Sequence, residues 1–304
     1  MYDVGIIGGG PAGLSAAMYA GRLKMKTLVL TKERGGTIIT TNDIANWPGI
    51  KKIEGMKLAK NLEEHALDYP DVEIKDALVT GIKKKDDNFV ITTQSGEYEA
   101  KTIILAAGTE VRKLGIPGEE EFSGKGVHYC ALCDGFFYKD KTIAVIGGSD
   151  SAAKEALLLT QWASKVYIIY RKEQVRAEPV NMDKVEKSDK IEIINNTNVT
   201  EIKGGEHVDT LVLDKEHNGS RELKVDGVFI EIGRVPGTVL VKEVGVKLNE
   251  KGEVIINRKS ETNVPGFFAA GDISDCFFKQ AIVASSEGVT AAYSAYVYLQ
   301  QKKG

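Results

Sequence analysis

One piece of grammar constrains this chain more than any other, because it occurs twice. The stretch "DVGIIGGGPAGLSAAMYAGRLKMKTLVLTKE" reads as a strand over residues 4–7, a glycine turn, a helix over 11–22 and a second strand over 28–30. Later, "KTIAVIGGSDSAAKEALLLTQWASKVYIIYRKE" repeats it, with a strand over 143–146, a helix over 151–160 and a strand over 166–170. A strand–helix–strand crossover makes its two strands parallel, and a parallel sheet needs cover on both faces. "KTIILAAGTEVRKLGIPG" and "VDGVFIEIGRVPGT" also echo each other, each an apolar strand, a glycine turn and a Pro-Gly turn. The expectation is an α/β chain holding two Rossmann-like nucleotide-binding domains, related by internal duplication.

With 304 residues the chain has room for two domains. Acids and bases are interspersed, the formal net charge is -3, and no basic stripe argues for nucleic acid. No apolar run is long enough to span a bilayer, so no membrane association is expected. The opening "MYDVGIIGGG" enters a strand without a signal-peptide pattern, and the expected compartment is cytoplasmic. Residues 113–118 and 237–242 read as linkers, and an amphipathic helix is expected from Gln280 onward.

Gly8, Gly10 and Gly13 form a G-x-G-x-x-G between a strand and a helix. The first permits a tight turn, the second lets backbone approach a pyrophosphate, and the third allows close helix packing. The helix N-terminus then offers bare N–H groups to phosphate. Glu33, about 20 residues further on and beyond the second strand, has the spacing of an acid that binds a ribose 2′-hydroxyl.

The second unit has Gly147, Ser149 and Ala152 in these places. Serine in the middle position puts a side chain where a pyrophosphate should come close. Downstream the charge reverses: Arg171, Lys172 and Arg176 follow the strand, and Tyr170 stands where an acid could have been. Bases there suit a 2′-phosphate and favour NADPH over NADH, although a solvated basic turn has the same composition.

Cys130 and Cys133 raise three readings. A structural zinc site needs four ligands, and only His128 is near; His65, His207 and His217 are scattered singly, so no metal is expected. As a staple the pair closes too short a loop to stabilise much. As an exchangeable dithiol it fits, and its place between two nucleotide units suggests electrons passing from a pyridine nucleotide through a flavin to the disulfide. Asp134 is placed to give or take a proton, though Asp-Gly is also an ordinary turn. Cys276 has no partner cysteine.

"CALCDGFF", flanked by "GIPGEEEFSGKGVHY" and "IAVIGGSDSAAKEAL", resembles the low-molecular-weight thioredoxin reductases of bacteria and archaea, as do "GGTIITTNDIANWPG" and "TNVPGFFAAGDISD". The likeness runs the length of the chain, with Leu132 in place of the family's Thr. It implies a homodimeric flavoenzyme of two three-layer (ββα) domains, the second inserted into the first. FAD binds over 1–112 and 243–304, and NADPH over 113–242, which also carries the cysteine pair.

By the same resemblance FAD meets Gly8, Gly10, Pro11, Ala12, Gly13, Glu33, Gly35, Gly36, Thr37, Asn46, Ala107, Gly108, Gly271, Asp272, Gln280 and Ala281. NADPH meets Gly147, Ser149, Asp150, Ser151, Arg171, Lys172, Arg176 and Gly233. Cys130, Cys133 and Asp134 are the catalytic set. The family's H-R-R-x-x-x-R appears as Tyr170, Arg171, Lys172 and Arg176, keeping the charges and losing the histidine. The implied partner is thioredoxin or a thioredoxin-like or glutaredoxin-like protein, with Phe136 and Phe137 near its docking surface; buried core aromatics are the other reading of that pair.

Ser149 is also a step toward relatives that take electrons from ferredoxin, so NADH or ferredoxin as donor, or another protein disulfide, is the alternative within the enzyme class. A flavin-bound sensor without turnover and a zinc-dependent interaction module are the alternatives outside it.

Overall fold

The computed structural model describes residues 1–41 and 44–302. Asn42 and Asp43, within "GGTIITTNDIANWPG", lie outside the described residues. The chain divides into two compact units, Met1–Glu110 with Val235–Gly304, and Val111–Arg234. The crossings thus fall at 110/111 and 234/235, where the sequence reading has 112/113 and 242/243. Val241 accounts for the second difference. It is buried with Ile7, Leu30 and Phe267 of the first unit, so the segment read as a linker packs there.

In the first unit, strands Val72–Asp76, Thr27–Arg34, Tyr2–Gly9 and Gly96–Leu105 pair side by side in parallel. Gly96–Leu105 continues antiparallel into Asn88–Thr93 and Val79–Lys85, and takes Phe267–Ala269 as a further parallel partner. Period-2 alternation assigns the faces. Val4 and Ile6 join one core, with helices α1 (Pro11–Arg22) and α6 (Ala281–Gln301). Ile7, Leu28 and Leu30 join the other, under Ile82, Phe89 and Ile91 of the antiparallel strands. Helix α2 (Gly55–Leu67) adds Ala66 to the helical side. Each fully buried Ile or Leu contributes about 1.5–3 kcal/mol, so flipping a strand by one residue would lose several such terms.

The second unit repeats the plan. Five parallel strands lie in the order Ile191–Ile194, Lys165–Ile169, Thr142–Ile146, Gly227–Ile230 and Val127–His128. Ile143 and Val145 face helices α4 (Asp150–Leu159) and α5 (Pro179–Glu186). Ala144 and Ile146 face a three-stranded antiparallel sheet of Val199–Gly204, Val208–His217 and Ser220–Lys224. A one-turn helix, α3 (Ala131–Asp134), precedes Thr142–Ile146 and carries Cys133, with Cys130 as its N-cap. Among the described residues no helix is long and apolar enough to cross a membrane.

Candidate active site

The first glycine turn is built by close backbone packing. Gly8 has φ +113°, and a Cβ there would run into the Ala106 carbonyl and lie 3.0 Å from Ala107 Cα. At Gly13 a Cβ would strike the Gly8 carbonyl, so α1 can start this close to its strand only with glycine there. Gly10 is the N-cap of α1 with extended backbone and no side-chain cap bond. The nearest atoms to a Cβ at Gly10 are Gly35 O at 3.8 Å and Gly36 Cα at 3.9 Å, leaving open space in front of bare N–H groups. Pro11 and Ala12 begin that first turn, and Thr37 follows in a 3₁₀ turn, Gly36–Thr40. Such a cradle, floored by glycines at a helix N-terminus, fits the pyrophosphate of a dinucleotide.

The strand carrying Glu33 runs on to Arg34, so this acid sits within the strand end and not beyond it; pairing of Gly9 with Arg34 extends the ladder. Glu33 is exposed, and its backbone is fixed by Thr31, whose hydroxyl accepts from the Gly9 N–H at 3.0 Å and donates to the Glu33 carbonyl at 2.7 Å. The structure also joins two distant site candidates: Asn46 Nδ2 donates to Gln280 Oε1 at 2.9 Å. Gln280 caps α6, and Ala281 opens it. Gly271 N–H donates to Glu287 Oε2 at 2.7 Å, and the Asp272 carbonyl accepts from Lys279. Gly108, with φ +63°, has open space where its Cβ would lie.

In the second turn Ser149 is the N-cap of α4 with φ -95° and ψ 177°, close to the -80° and -173° of Gly10. Serine therefore costs no backbone strain; the difference is its side chain, which makes no cap bond. Arg176 is drawn to this turn, its N–H donating to the Gly148 carbonyl at 2.8 Å. Arg171, Lys172 and Arg176 are exposed and make no ion pair among the described residues. Tyr170 is not part of that exposed cluster. It is 7% exposed and its ring lies against Gly148.

Asp150 is tied down by Lys154 at 2.7 Å, Asn181 Nδ2 at 2.8 Å and the Glu178 N–H at 2.9 Å. Burial pushes its carboxyl up, and these partners outweigh burial and hold it low. Ser151 is exposed on the first turn of α4. Gly147 lies against the Glu231 carbonyl, and the Gly233 carbonyl accepts from the Arg112 N–H at 3.0 Å.

Cys130 and Cys133 are joined as a disulfide, with Cα atoms 5.4 Å apart. Cys130 is half-buried and Cys133 exposed, so one sulfur is presented to solvent. Cys130 Sγ accepts from the Cys133 N–H at 3.2 Å. Asp134 ends the same turn, and its carboxylate Oδ2 lies 3.0 Å from His128 Nδ1. The Asp-Gly pair is not a left-handed turn: Gly135 has φ -60°, and glycine is needed because a Cβ would come within 2.9 Å of Leu159 and Trp162. Phe136 and Phe137 are 52% and 67% exposed, with ring centroids 4.0 Å apart, so the buried-core reading of this pair is wrong. Among the described residues no group of three or more His, Cys, Asp or Glu is placed to hold a metal ion.

Sequence reasoning missed four acids. Glu155 on α4 accepts the Ala131 N–H at 3.3 Å with Oε1, while its buried Oε2 has no hydrogen-bond donor. Burial raises both Glu155 and Glu231, and each feels the other. Glu119 accepts from the Leu114 and Gly115 N–H groups and from Tyr129 Oη. Glu287 had a readable signal, since it is the sole charged residue in α6.

The chain matches the family of pyridine nucleotide-disulphide oxidoreductases over residues 2–288. It is 38% identical to a thioredoxin reductase of Bacillus subtilis, with 99% of this chain and 96% of that protein covered. A thioredoxin reductase of Treponema pallidum is 40% identical, with 98% and 97% covered. The crystal structure of Lactococcus lactis thioredoxin reductase superposes with a TM-score of 0.95 at 39% identity, covering 99% of this chain and 100% of that one. Two strand–helix–strand nucleotide units and a solvent-facing disulfide are what a flavin- and nicotinamide-using disulfide reductase requires, and this chain belongs to the pyridine nucleotide-disulphide oxidoreductases.

Proposed function

We propose that this chain is a thioredoxin reductase that moves two electrons from NADPH, by way of FAD, to Cys130–Cys133 and on to thioredoxin or a thioredoxin-like or glutaredoxin-like protein. The observation that carries the reading is the disulfide itself, half-presented to solvent beside exposed Phe136 and Phe137, in the unit that repeats the dinucleotide grammar. Exposed aromatic side chains next to a working disulfide suit docking of a small protein.

In this reading FAD lies in the first unit, with Gly8, Gly10, Pro11, Ala12 and Gly13 at the pyrophosphate and Glu33 at the ribose. Gly35, Gly36, Thr37, Asn46, Ala107, Gly108, Gly271, Asp272, Gln280 and Ala281 line the rest. Bound flavin supplies the two-electron relay between nicotinamide and disulfide. NADPH lies on the second unit along Gly147, Ser149, Asp150, Ser151 and Gly233. Arg171, Lys172 and Arg176 hold its 2′-phosphate. The exposure of those three cations supports this, because a cation already paired would have to be freed first. The enzyme works in the cytoplasm as a homodimer.

A second reading keeps the disulfide and changes the donor to NADH or ferredoxin. Ser149, standing where Gly10 stands in the first unit, favours it. One experiment separates the two. The protein is titrated without air with NADPH, NADH and reduced ferredoxin while the flavin absorbance is followed, and oxidised thioredoxin or glutaredoxin is then added. Bleaching by NADPH and recovery with thioredoxin supports the proposal; bleaching by ferredoxin alone moves it to the second reading. Absence of a flavin spectrum defeats both.

A further inference from the structure

We propose that His128 is a positioning residue for Asp134 in disulfide exchange, with Tyr138 in turn fixing the imidazole. The inference rests on Cys130–Cys133 being the working disulfide, and it deepens that reading by assigning a buried histidine that the electron path does not use.

The geometry is that of an oriented acid. His128 ends the strand Val127–His128 and is 9% exposed. Its ring stacks on Phe229 at 5.1 Å and meets Tyr138 edge-on at 5.5 Å. Nε2 lies 2.6 Å from Tyr138 Oη, and Nδ1 lies 3.0 Å from Asp134 Oδ2. A neutral imidazole donates from one nitrogen and accepts at the other. With an anionic Asp134, one tautomer satisfies both contacts: Tyr138 O–H donates to Nε2, and Nδ1–H donates to Oδ2. The opposite tautomer would aim two lone pairs at each other across the Nδ1–Oδ2 contact.

Burial lowers the His128 ring against the pull of Asp134, so the neutral form is favoured. Burial pushes the Tyr138 hydroxyl up to about 12, and Asp134 and Asp226 push in the same direction, so it stays a donor. Of the other charged groups, Asp226 faces Tyr138, and Glu155 lies in the field of Asp134. Phe229 covers one face of the ring. Oδ2 is thus engaged, and Oδ1 makes no hydrogen bond among the described residues.

That leaves Oδ1 to carry a proton. In the reduced protein one of the two cysteines is a thiolate and the other a thiol. The thiolate sulfur bonds to one sulfur of the partner disulfide, whose S–S bond breaks and releases a partner thiolate. The remaining thiol gives its proton to Oδ1 and attacks the mixed disulfide. The Cys130–Cys133 bond forms, the mixed bond breaks, and the second partner sulfur leaves. The proton passes from Oδ1 to one of the two partner sulfurs. Two electrons leave the enzyme dithiol and two arrive on the partner disulfide, with no net proton gained or lost. A carboxylate free to swing would do this less well, because general acid–base work depends on holding the group within hydrogen-bond reach.

The test uses the purified protein reduced with dithiothreitol and freed of it, so that no donor step intervenes. Its reaction with oxidised thioredoxin, and with the aromatic disulfide dithiobis(nitrobenzoate), is followed by stopped flow between about pH 6 and 9. The aromatic leaving thiolate needs no proton, so it serves as the internal comparison. His128→Ala is expected to slow exchange with thioredoxin by about tenfold or more, and with the aromatic disulfide by less. The pH profile should change with the rate, because the Asp134 carboxylate loses the group that holds it in place. His128→Asn, whose amide N–H replaces Nδ1–H, should recover most of the rate, and Tyr138→Phe should lie between.

Two results overturn the proposal: a His128→Ala protein that keeps the wild-type rate and pH profile, or one in which both disulfides slow equally with no rescue by asparagine. If wild type does not react with thioredoxin at all, the proposed partner is wrong. The pH profiles of wild type, His128→Ala and His128→Asn with the aromatic disulfide then still decide the role of His128.

Discussion

The Ala131 N–H donates to Glu155 Oε1 at 3.3 Å, so the turn carrying the disulfide rests on a buried carboxyl from α4. Glu231 is raised by burial and then by Glu155. Glu155 is raised by burial, with the Ala131 N–H and Glu231 acting against it. Both groups hold protons in the folded state at pH values where an unfolded carboxyl is ionised. Their contribution to stability is therefore complete below the ordinary carboxylate range and is lost as pH rises through neutrality. Glu231→Gln keeps the shape and removes the ionisation. It should melt close to wild type near pH 5 and higher than wild type near pH 8, by a few degrees. Thermal melts across that range check this, and a difference independent of pH would show that the pair does not titrate there.

Cys130→Ser and Cys133→Ser should each abolish reduction of a protein disulfide and leave bleaching of the flavin by NADPH largely intact. Each removes one sulfur of the pair without touching either glycine turn. Turnover of thioredoxin by the double variant would defeat the electron path. Cys276→Ser should retain activity: its thiol is pushed up to about 11 by burial and by Glu287, which keeps it protonated and unreactive at neutral pH.

How far these features could be read in the sequence depends on the range of the interactions that produce them. The two strand–helix–strand units were legible because they rest on short-range periodicity: Ile143 and Val145 alternate with Ala144 and Ile146 between two cores. The need for glycine at Gly8 and Gly13 was legible from spacing. The Glu155–Glu231 contact was not, since neither acid stands out locally and only folding brings them together. Asp134–Gly135 looked like a turn, but the glycine answers to Leu159 and Trp162, residues that local turn chemistry does not see. Tyr170 stands where the family has a histidine, and its place beside the basic residues did not tell that those residues are exposed while its own ring covers Gly148. The second crossing was placed late because the burial of Val241 depends on which unit it joins.

Gly13→Ala tests the first cradle. Its added Cβ meets the Gly8 carbonyl, backbone that cannot rotate away, and overpacking of that kind costs about 1–3 kcal/mol. The helix must retreat from the strand, and the N–H groups facing the cradle retreat with it. The purified variant should carry less FAD than wild type, read as the ratio of flavin absorbance to protein, and melt at a lower temperature. Full flavin loading would mean that the pyrophosphate does not sit at this turn.

The donor is tested by two substitutions that make separable claims. Arg171 is exposed and makes no ion pair among the described residues, so its charge is available to a 2′-phosphate. A charge-assisted hydrogen bond contributes about 1.5–3 kcal/mol, and Arg171→Ala should weaken NADPH by about 10- to 100-fold while NADH, which lacks that phosphate, changes little. Ser149 has the backbone conformation of Gly10 and makes no cap bond, so Ser149→Gly removes a side chain from the approach to the pyrophosphate and loses no hydrogen bond. It should tighten NADPH and NADH together and leave their ratio almost unchanged, at a cost of a few tenths of a kcal/mol for glycine at an N-cap. Both are read from the nucleotide dependence of flavin bleaching in anaerobic stopped flow. If neither nucleotide bleaches wild type and Ser149→Gly restores nothing, the basic cluster is a solvated or docking surface, and reduced ferredoxin becomes the donor to test in the same cell.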